Sequence, residues 1–432
     1  MKISVGALLA ATSLFVVGNA SAETTLTIAT VNNGDMIRMQ KLTDDFTKAN
    51  PDIKLNWVTL EENVLRQKVT TDIATKGGQF DVLTIGTYEV PIWGKRGWLI
   101  PLTKIDDPDD LLPAIRSGLT VDGKLYASPF YGESSFVMYR KDLMDKAGLT
   151  MPAAPTWAFI REAADKMTDK AAGVYGACLR GKAGWGENMG FITATANSFG
   201  ARWFNEKWEP EFNGPEWKAT LDYYLPLMKA DGPPGASSNG FNENLALFNA
   251  GKCGMWIDAT VAASFVTGKD STVADKVGFA LAPDNGLGKR GNWLWAWSLA
   301  IPSGSAKVDA AEKFVSWATS KHYTELVASK EGWANVPPGT RTSLYLNPEY
   351  QKVPFAKMTL DSINSADPTH PAVKPVPYVG VQFVAIPEYA GIATEVGQDF
   401  AAALAGTLSE DEALAKAQAS TEAAMKKAGY IK

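Results

Sequence analysis

The sequence predicts an α/β protein of two lobes joined by strands that cross from one lobe to the other. The chain has 432 residues, more than one hydrophobic core usually holds, so two lobes are expected. Strand-like and helix-like segments alternate along it, which is the pattern of a largely parallel sheet. No segment has the composition of a disordered linker, and this favours crossing strands over a flexible tether.

The first elements follow one another in regular order. TLTIATVNN, from Thr25, is an alternating apolar strand, and Asp35 is a candidate cap for the helix after it. Apolar residues then alternate over residues 53–57 as a second strand, and residues 62–75 form a helical stretch. QFDVLTIG is a nearly continuous apolar run, as expected for a strand buried on both faces.

The rest of the chain repeats this theme. GKLYASPFY leads into ESSFVMYRKDL, and VYGACLRG, CGMWIDATV and KVGFALAP are further strand candidates. Thr156 is the expected N-cap of a helix, and helical stretches cover residues 221–228 and 244–249. The C-terminal fifth is helical and includes EDEALAKAQASTEAAMKKAG, an amphipathic helix that Gly429 stops.

The N-terminus predicts export. Lys2 precedes the apolar stretch VGALLAATSLFVVG, and the small residues 20–22 complete the pattern of a secretory signal peptide over residues 1–22, cleaved after Ala22. The apolar stretch is too short for a good membrane span, and no cysteine near the cleavage site could carry a lipid anchor. We therefore expect a periplasmic protein without a direct membrane anchor.

Composition excludes several classes of function. The net charge is −5 without a basic stripe, which argues against nucleic acid and anionic membrane surfaces. The two histidines stand in unrelated contexts, and we expect neither a metal nor a cofactor. In an oxidising compartment Cys178 and Cys253 are expected to form a disulfide, with two buried free thiols as the alternative.

Polar and aromatic residues follow the predicted strands, where α/β sheets meet their ligands. Planar carboxylate, amide and guanidinium groups can grip neighbouring hydroxyls, and aromatic faces cover C–H surface. The residues at these positions form a palette for carbohydrates or polyols, and they are Asn33, Asp35, Glu62, Tyr88, Glu89, Glu133, Arg180, Trp185, Asn188 and Asp258. For each polar one, a turn or a helix cap is the competing interpretation.

The stretch GNWLWAWSLAIPSG has tryptophans at 293, 295 and 297, which a strand would place on one face. Spacing alone leaves open whether they are core or the floor of a binding site. A glycoside hydrolase is a further alternative, because Glu62, Glu89 and Glu133 could supply a pair of acids. Nothing marks one of them as a buried acid, and nucleophile-elbow, Walker and zinc-protease motifs are absent from the sequence.

The order of several stretches resembles the extracellular solute-binding proteins of ABC importers, in the carbohydrate class that includes maltose-binding protein. The resemblance spans the chain after the signal peptide and rests on LTIATVNNGDMIRMQKLTDDFTKANPDIKLNWV, FDVLTIGTYEVPIWGKRGWLIPL, GKLYASPFYGESSFVMYRKDLMDKAGL, APTWAFIREAADKM, ALFNAGKCGMWIDATV and WLWAWSLAIPSGS. Within the family, TVNNGDM, GTYEVPIWGKRGWL, CLRGKAGWGENM and NWLWAWSLAIP are most similar to members that bind sorbitol- or mannitol-type polyols.

This resemblance implies a type II-like periplasmic-binding-protein fold with the ligand between two lobes. Residues 23–132 and 295–345 would form the first lobe, and residues 133–294 and 346–432 the second. It also adds Trp203 to the second lobe's ligand-binding residues and places Trp295 and Trp297 at a crossing between lobes, with Trp293 left to packing. Maltose-type members carry an aromatic residue where this chain has residues 259–261, so a small ligand is expected.

The implied function is capture of a polyol by hinge closure and delivery to an ABC permease, by a monomer without enzymatic activity. A monosaccharide or short oligosaccharide is the alternative ligand. From the sequence we expect Arg180→Ala and Asp258→Ala to weaken binding without lowering the melting temperature much.

Overall fold

The structure is a computed structural model that describes residues 23–432. The predicted signal peptide, residues 1–22, lies outside the described residues. Strands occupy eleven segments of this range, which are β1 Thr24–Val31, β2 Ile53–Leu60, β3 Val82–Gly86, β4 Thr120–Val121, β5 Lys124–Leu125, β6 Ala127–Glu133, β7 Ser135–Arg140, β8 Tyr175–Cys178, β9 Cys253–Ala259, β10 Val277–Leu281 and β11 Trp295–Ala300.

Helices cover and connect the sheets. In the described part of the chain the α-helices are α1 Gly34–Leu42, α2 Asp44–Ala49, α3 Glu62–Thr75, α4 Glu89–Lys95, α5 Pro113–Gly118, α6 Lys141–Lys146, α7 Trp157–Met167, α8 Asn188–Ser198, α9 Pro215–Asp231, α10 Phe241–Asn249, α11 Ala263–Val266, α12 Val308–Ala318, α13 Lys321–Glu331, α14 Thr342–Leu346, α15 Ala356–Ser365, α16 Tyr389–Ala405 and α17 Glu410–Ala428. Among residues 23–432 none of them is both long enough and apolar enough to cross a bilayer.

Two sheets define two lobes. The first has the strand order β2-β1-β3-β11-β6, and β11 is its single antiparallel strand. The second has the order β10-β7-β9-β8, and β7 is antiparallel to both of its neighbours. The largely parallel sheets expected from the sequence are therefore present, each with one reversed strand.

The reversed strands mark where the chain crosses between the lobes. Only Ser134 separates β6 in the first sheet from β7 in the second, and the chain returns from β10 to β11. The two crossings touch, because the Ser134 hydroxyl donates a hydrogen bond to the carbonyl of Trp293 at 2.6 Å. These two crossing segments are thus adjacent parts of the hinge, and the lobe boundaries predicted from the sequence place a further crossing near residues 345/346.

Local sequence explains how the elements near the cleft begin. The N-cap of α1 is Asn33 rather than the predicted Asp35, because the Asn33 side-chain oxygen accepts a hydrogen bond from the Met36 amide at 3.0 Å. Thr156 caps α7 as predicted. The adjacent strands β8 and β9 are joined by a disulfide between Cys178 and Cys253. That bond ties down the strand from which a long cleft loop leaves.

Candidate functional site

Two adjoining cavities lie between the lobes. The first has a volume of about 410 Å³ and is lined from both lobes by Glu62, Arg66, Glu133, Arg180, Trp185, Gly186, Gly190, Phe191, Trp293, Trp295, Trp297 and Gln382. The second, of about 480 Å³, shares four of these residues with it: Glu62, Glu133, Arg180 and Trp297. Those four residues therefore stand where the two cavities meet.

The lobes are closed over these cavities. Lys182 Nζ lies 2.5 Å from Glu61 Oε1 across the cleft. The side-chain amide of Asn63 donates to the Ala183 carbonyl at 3.2 Å, and that of Asn242 donates to an Asn32 carbonyl at 3.0 Å. Each bond joins one lobe to the other, so opening the cleft would break them.

The tryptophans form an aromatic wall of the first cavity. Trp295 pairs with Glu133 across β11 and β6, and a β-bulge follows Trp297. The Trp295 ring centroid lies 5.5 Å from that of Trp297 and 5.9 Å from that of Trp185, both edge-on. Trp293 precedes the strand and also lines this cavity, where the sequence analysis had left it to packing. The open question about the three tryptophans is thus answered in favour of a cavity wall.

Arg180 is held rigidly at the junction of the cavities. Its Nε and Nη2 donate to the two carboxylate oxygens of Asp258 at 2.9 and 2.7 Å. Its Nη1 donates to the Gly186 carbonyl at 3.0 Å and to Glu187 Oε2 at 3.3 Å. A bidentate pair of this kind fixes the plane of the guanidinium group.

Asp258 stands behind Arg180 and outside both cavity linings. It is fully buried, and its oxygens also accept hydrogen bonds from the Trp256 indole and the Ala259 amide. Removing Arg180 would leave Asp258 buried without its cation, and removing Asp258 would leave Arg180 with Glu187 as its remaining carboxylate partner. Breaking a buried ion pair in this way typically costs about 3–5 kcal/mol. The expectation that Arg180→Ala and Asp258→Ala would spare the melting temperature is therefore corrected: both should destabilise the fold.

Two buried polar atoms of the first cavity's lining have no hydrogen-bond partner within residues 23–432. They are Oε2 of Glu133 and the indole Nε1 of Trp295. Burial raises the pKa of Glu133 well above its usual range. Burial also raises the pKa of nearby Glu187 to about 7, and repulsion by the Glu62 carboxylate adds to this effect. The cavity thus offers an acceptor, which can also donate when protonated, next to an indole donor.

Arg66 is a second buried cation, which the sequence analysis did not select. Its Nε and Nη2 donate to Glu62 Oε1 at 3.1 and 2.9 Å, and its Nη1 donates to Glu89 Oε1 at 2.9 Å. Its guanidinium carbon lies 3.9 Å from the ring centroid of Trp185. Since two acids of the same lobe flank this cation, its charge is already compensated and does not call for an anionic ligand.

Seven of the thirteen predicted ligand-binding residues line the cavities, namely Asn33, Glu62, Glu133, Arg180, Trp185, Trp295 and Trp297. They come from both lobes and from both crossings. Asn33 lines the second cavity and is also the N-cap of α1. Its side-chain amide donates a hydrogen bond to the Tyr131 hydroxyl at 2.7 Å.

The other six lie behind the lining, and three of them belong to the first lobe. Tyr88 donates its hydroxyl to the Ile386 carbonyl at 3.0 Å, and its ring centroid lies 4.7 Å from that of Trp185. Glu89 accepts from Arg66 and from the Gly86 amide. Asp35 is buried beside Arg38, and this burial raises its pKa to about 6.

The remaining three, all in the second lobe, are Asn188, Trp203 and Asp258. Asn188 joins the Gly184 amide to the Gly397 carbonyl, so it shapes the loop that carries Trp185. Trp203 is in the core, with its ring centroid 5.1 Å from that of Tyr389. These residues support lining residues rather than line the cavities themselves.

Several lining residues were missed by sequence reasoning: Arg66, Phe191, Gln382, Lys182, Phe241 and Asn242. Arg66 and Phe191 lie inside helices, so no strand-end rule selects them. Gln382 lies in a loop remote from both sheets in sequence and reaches the hinge through hydrogen bonds with the Leu294 backbone. Within residues 23–432, no group of histidine, cysteine and acidic side chains has the arrangement of a metal site.

Comparison with known proteins identifies the family of this chain. Residues 33–325 match the model of the bacterial extracellular solute-binding protein family. A mannitol-binding protein of Pseudomonas aeruginosa is 58% identical over 436 aligned residues, which cover 100% of both chains.

Solved structures agree with this match. The crystal structure of an ABC transporter solute-binding protein from Agrobacterium vitis with bound D-mannitol is 75% identical, has a TM-score of 0.94 and covers 95% of this chain and 100% of its own. A ribitol complex from Agrobacterium radiobacter, 24% identical with a TM-score of 0.81 over 93% of this chain and 99% of its own, shares the fold. The two-lobe fold predicted from the sequence is thereby confirmed. The chain belongs to the bacterial extracellular solute-binding proteins, a family of binding proteins and not of enzymes.

Proposed function

We propose that this protein captures a polyol, with D-mannitol or a related hexitol as its ligand, and delivers it to an ABC importer. The observation that carries this proposal is the first cavity, in whose lining Glu133 Oε2 and Trp295 Nε1 are buried without a hydrogen-bond partner among residues 23–432. A polyol hydroxyl both donates and accepts, so neighbouring hydroxyls of one molecule can satisfy both atoms. Leaving such atoms unsatisfied costs about 1–3 kcal/mol each, and binding recovers much of that.

The charges of the site disfavour an anionic ligand. Arg66 is paired with Glu62 and Glu89, and Arg180 is paired with Asp258 and Glu187. Because both cations already have carboxylate partners, an anionic ligand would have to compete with these acids. A neutral molecule with many hydroxyls can instead add hydrogen bonds at the free edges of these groups.

The cavity also fits a small, acyclic ligand. The tryptophan wall can cover the C–H edges of a carbon chain. Ala259 and Val261 line the second cavity at the place where the maltose-type resemblance would put an aromatic residue. Relatives point the same way, because the names of the 58% and 75% identical proteins specify mannitol. A monosaccharide or a short oligosaccharide is the alternative ligand.

Binding acts through hinge closure. Lining residues come from both lobes, so only a ligand that bridges the cleft contacts all of them, and such a ligand favours the closed state. A dissociation constant near 1 µM, about −8 kcal/mol, lies within reach of a few hydrogen bonds and aromatic contacts. In this proposal the protein works in the periplasm as a monomer after removal of residues 1–22. Its closed form, with lobes bounded at about residues 132/133, 294/295 and 345/346, docks on the permease.

Calorimetry on the mature protein tests the ligand class. D-Mannitol, D-sorbitol, ribitol, D-glucose and maltose are titrated in turn, and a chromogenic glycoside is added in a separate assay. We expect saturable binding of at least one hexitol, one molecule per chain, and no release of the chromophore. Binding of glucose or maltose with no heat from any hexitol would contradict the polyol assignment.

A further inference from the structure

We infer that Arg66 is a positioning residue that couples lobe closure to the aromatic wall, through a stack on Trp185 that exists only while the lobes are closed. The inference rests on the proposed function, because the closure that it describes is the one driven by polyol binding. It adds a specific inter-lobe contact, between two side chains, that holds the closed state together.

Arg66 is fixed to the first lobe. Its helix α3 connects β2 to β3 in the first sheet. Glu62 on the same helix and Glu89 at the start of α4 accept three of its N–H groups. Glu89 is anchored in turn, since its other oxygen accepts from the Gly86 amide at 3.0 Å. The guanidinium group therefore keeps its place when the lobes separate.

The rings around Arg66 belong to both lobes. Its guanidinium carbon lies 4.6 Å from the ring centroid of Trp297 and 4.9 Å from that of Trp295, both on β11 of the first sheet. The shortest such distance, 3.9 Å, is to Trp185, which follows β8 of the second sheet. Opening the hinge removes Trp185 and leaves the other two rings, so one aromatic contact of three depends on closure.

The contact between Arg66 and Trp185 is strong because both side chains are shielded from water. Arg66 is only 7% exposed and Trp185 is equally buried, and cation–π attraction grows when the cation is desolvated. In the closed state Trp185 also packs against the Tyr88 ring of the first lobe. Lysine could not replace Arg66. The planar guanidinium group donates to two carboxylates along its edges while its face stacks on a ring, and an ammonium group is not planar.

Dissociation kinetics separate this role from a structural one. Stopped-flow tryptophan fluorescence with D-mannitol measures the association and dissociation rate constants of the wild type and of Arg66→Lys. Contacts that form after closure act on dissociation. We therefore expect Arg66→Lys to raise the dissociation rate constant about tenfold and to change the association rate constant less than about twofold. Arg161→Lys is the matched control, because Arg161 stacks on Tyr223 within one lobe, and it should leave both constants unchanged.

A double-mutant cycle with Trp185→Leu isolates the pair, since Trp185 also lines the cavity. If the two side chains act through one contact, the double variant dissociates no faster than the faster single variant. The inference would be overturned if the double variant's increase in dissociation rate constant equals the product of the two single increases. An unchanged dissociation rate constant in Arg66→Lys would overturn it as well. Should Arg66→Lys not fold, Arg66→Gln replaces it in the cycle with the same expectations. A wild type that gives no saturable signal with any polyol would instead refute the proposed function, and this inference with it.

Discussion

Replacing Gly186 by alanine is expected to keep the cleft from closing and so to weaken polyol binding. Gly186 follows Trp185 in the second lobe, and its backbone lies against side chains of the first. A Cβ atom at this position would lie 2.9 Å from Nη2 and 3.0 Å from Nε of Arg66, and closer still to Glu62 Oε1. These two side chains are hydrogen-bonded to each other, and Arg66 is also anchored by Glu89, so a shift of either one disturbs a buried network.

The size of the effect follows from overpacking. Extra methyl groups in well-packed sites cost about 1–3 kcal/mol. Because the overlap exists only in the closed state, the whole cost falls on binding, which predicts a dissociation constant about 5- to 150-fold higher. The open state has room for the methyl group, so the melting temperature without ligand should change little.

Calorimetry with D-mannitol and small-angle X-ray scattering with saturating ligand measure both consequences. Gly391→Ala in α16 is the matched control, because within residues 23–432 no atom beyond its chain neighbours and its own helix backbone lies within 4 Å of the Cβ position, and it should bind like the wild type. A Gly186→Ala protein that binds with wild-type affinity and closes to the wild-type radius of gyration would refute the reasoning.

Three other predictions concern Arg180, the disulfide and Glu187. Arg180→Gln should abolish binding and lower stability by about 3–5 kcal/mol, measured by urea denaturation, because it leaves Asp258 buried without its cation; wild-type stability would contradict this. The Cys178→Ala/Cys253→Ala double variant should lose about 2–5 kcal/mol of stability and keep its affinity for D-mannitol, and a loss of affinity larger than the loss of folded protein would count against it. Because the pKa of Glu187 is raised to about 7, folding takes up a proton there, and the stability so gained falls as the pH rises from about 4.5 to about 7. Glu187→Gln should therefore gain stability relative to the wild type between about pH 5 and pH 8, and a relative loss in thermal melts would contradict the sign.

Local pattern predicted the elements well and the cavity lining in part. The helix at residues 62–75 and the buried strand after Phe80 were predicted correctly, because periodicity and apolar runs are properties of a single segment. The strand-end rule found Glu133 and Arg180 for the same reason, since the end of a strand is visible in sequence.

The other features of the site depend on packing between segments that are distant in sequence. Asp258 lies near the end of β9 and Glu89 begins the helix after β3, close to the strand ends as expected. Each is covered by an arginine, and nothing in the local sequence predicts that cover. A rule based on strand ends does not select Arg66, because it lies inside a helix. Its contact with Trp185 forms only when a loop of the other lobe lies against it. Asn33 instead of Asp35 caps α1 because either residue type is a good cap, and backbone geometry chose between them.

The central claim is that a polyol lies between the two sheets, against the tryptophan wall. A crystal structure of the mature protein grown with D-mannitol tests it most directly. The account predicts one ligand in the joined cavities, with hydroxyls within hydrogen-bond distance of Glu133 Oε2 and Arg180 and its carbon chain against Trp295 and Trp297. A closed protein with D-mannitol bound elsewhere, or with the ligand touching one lobe only, would contradict it.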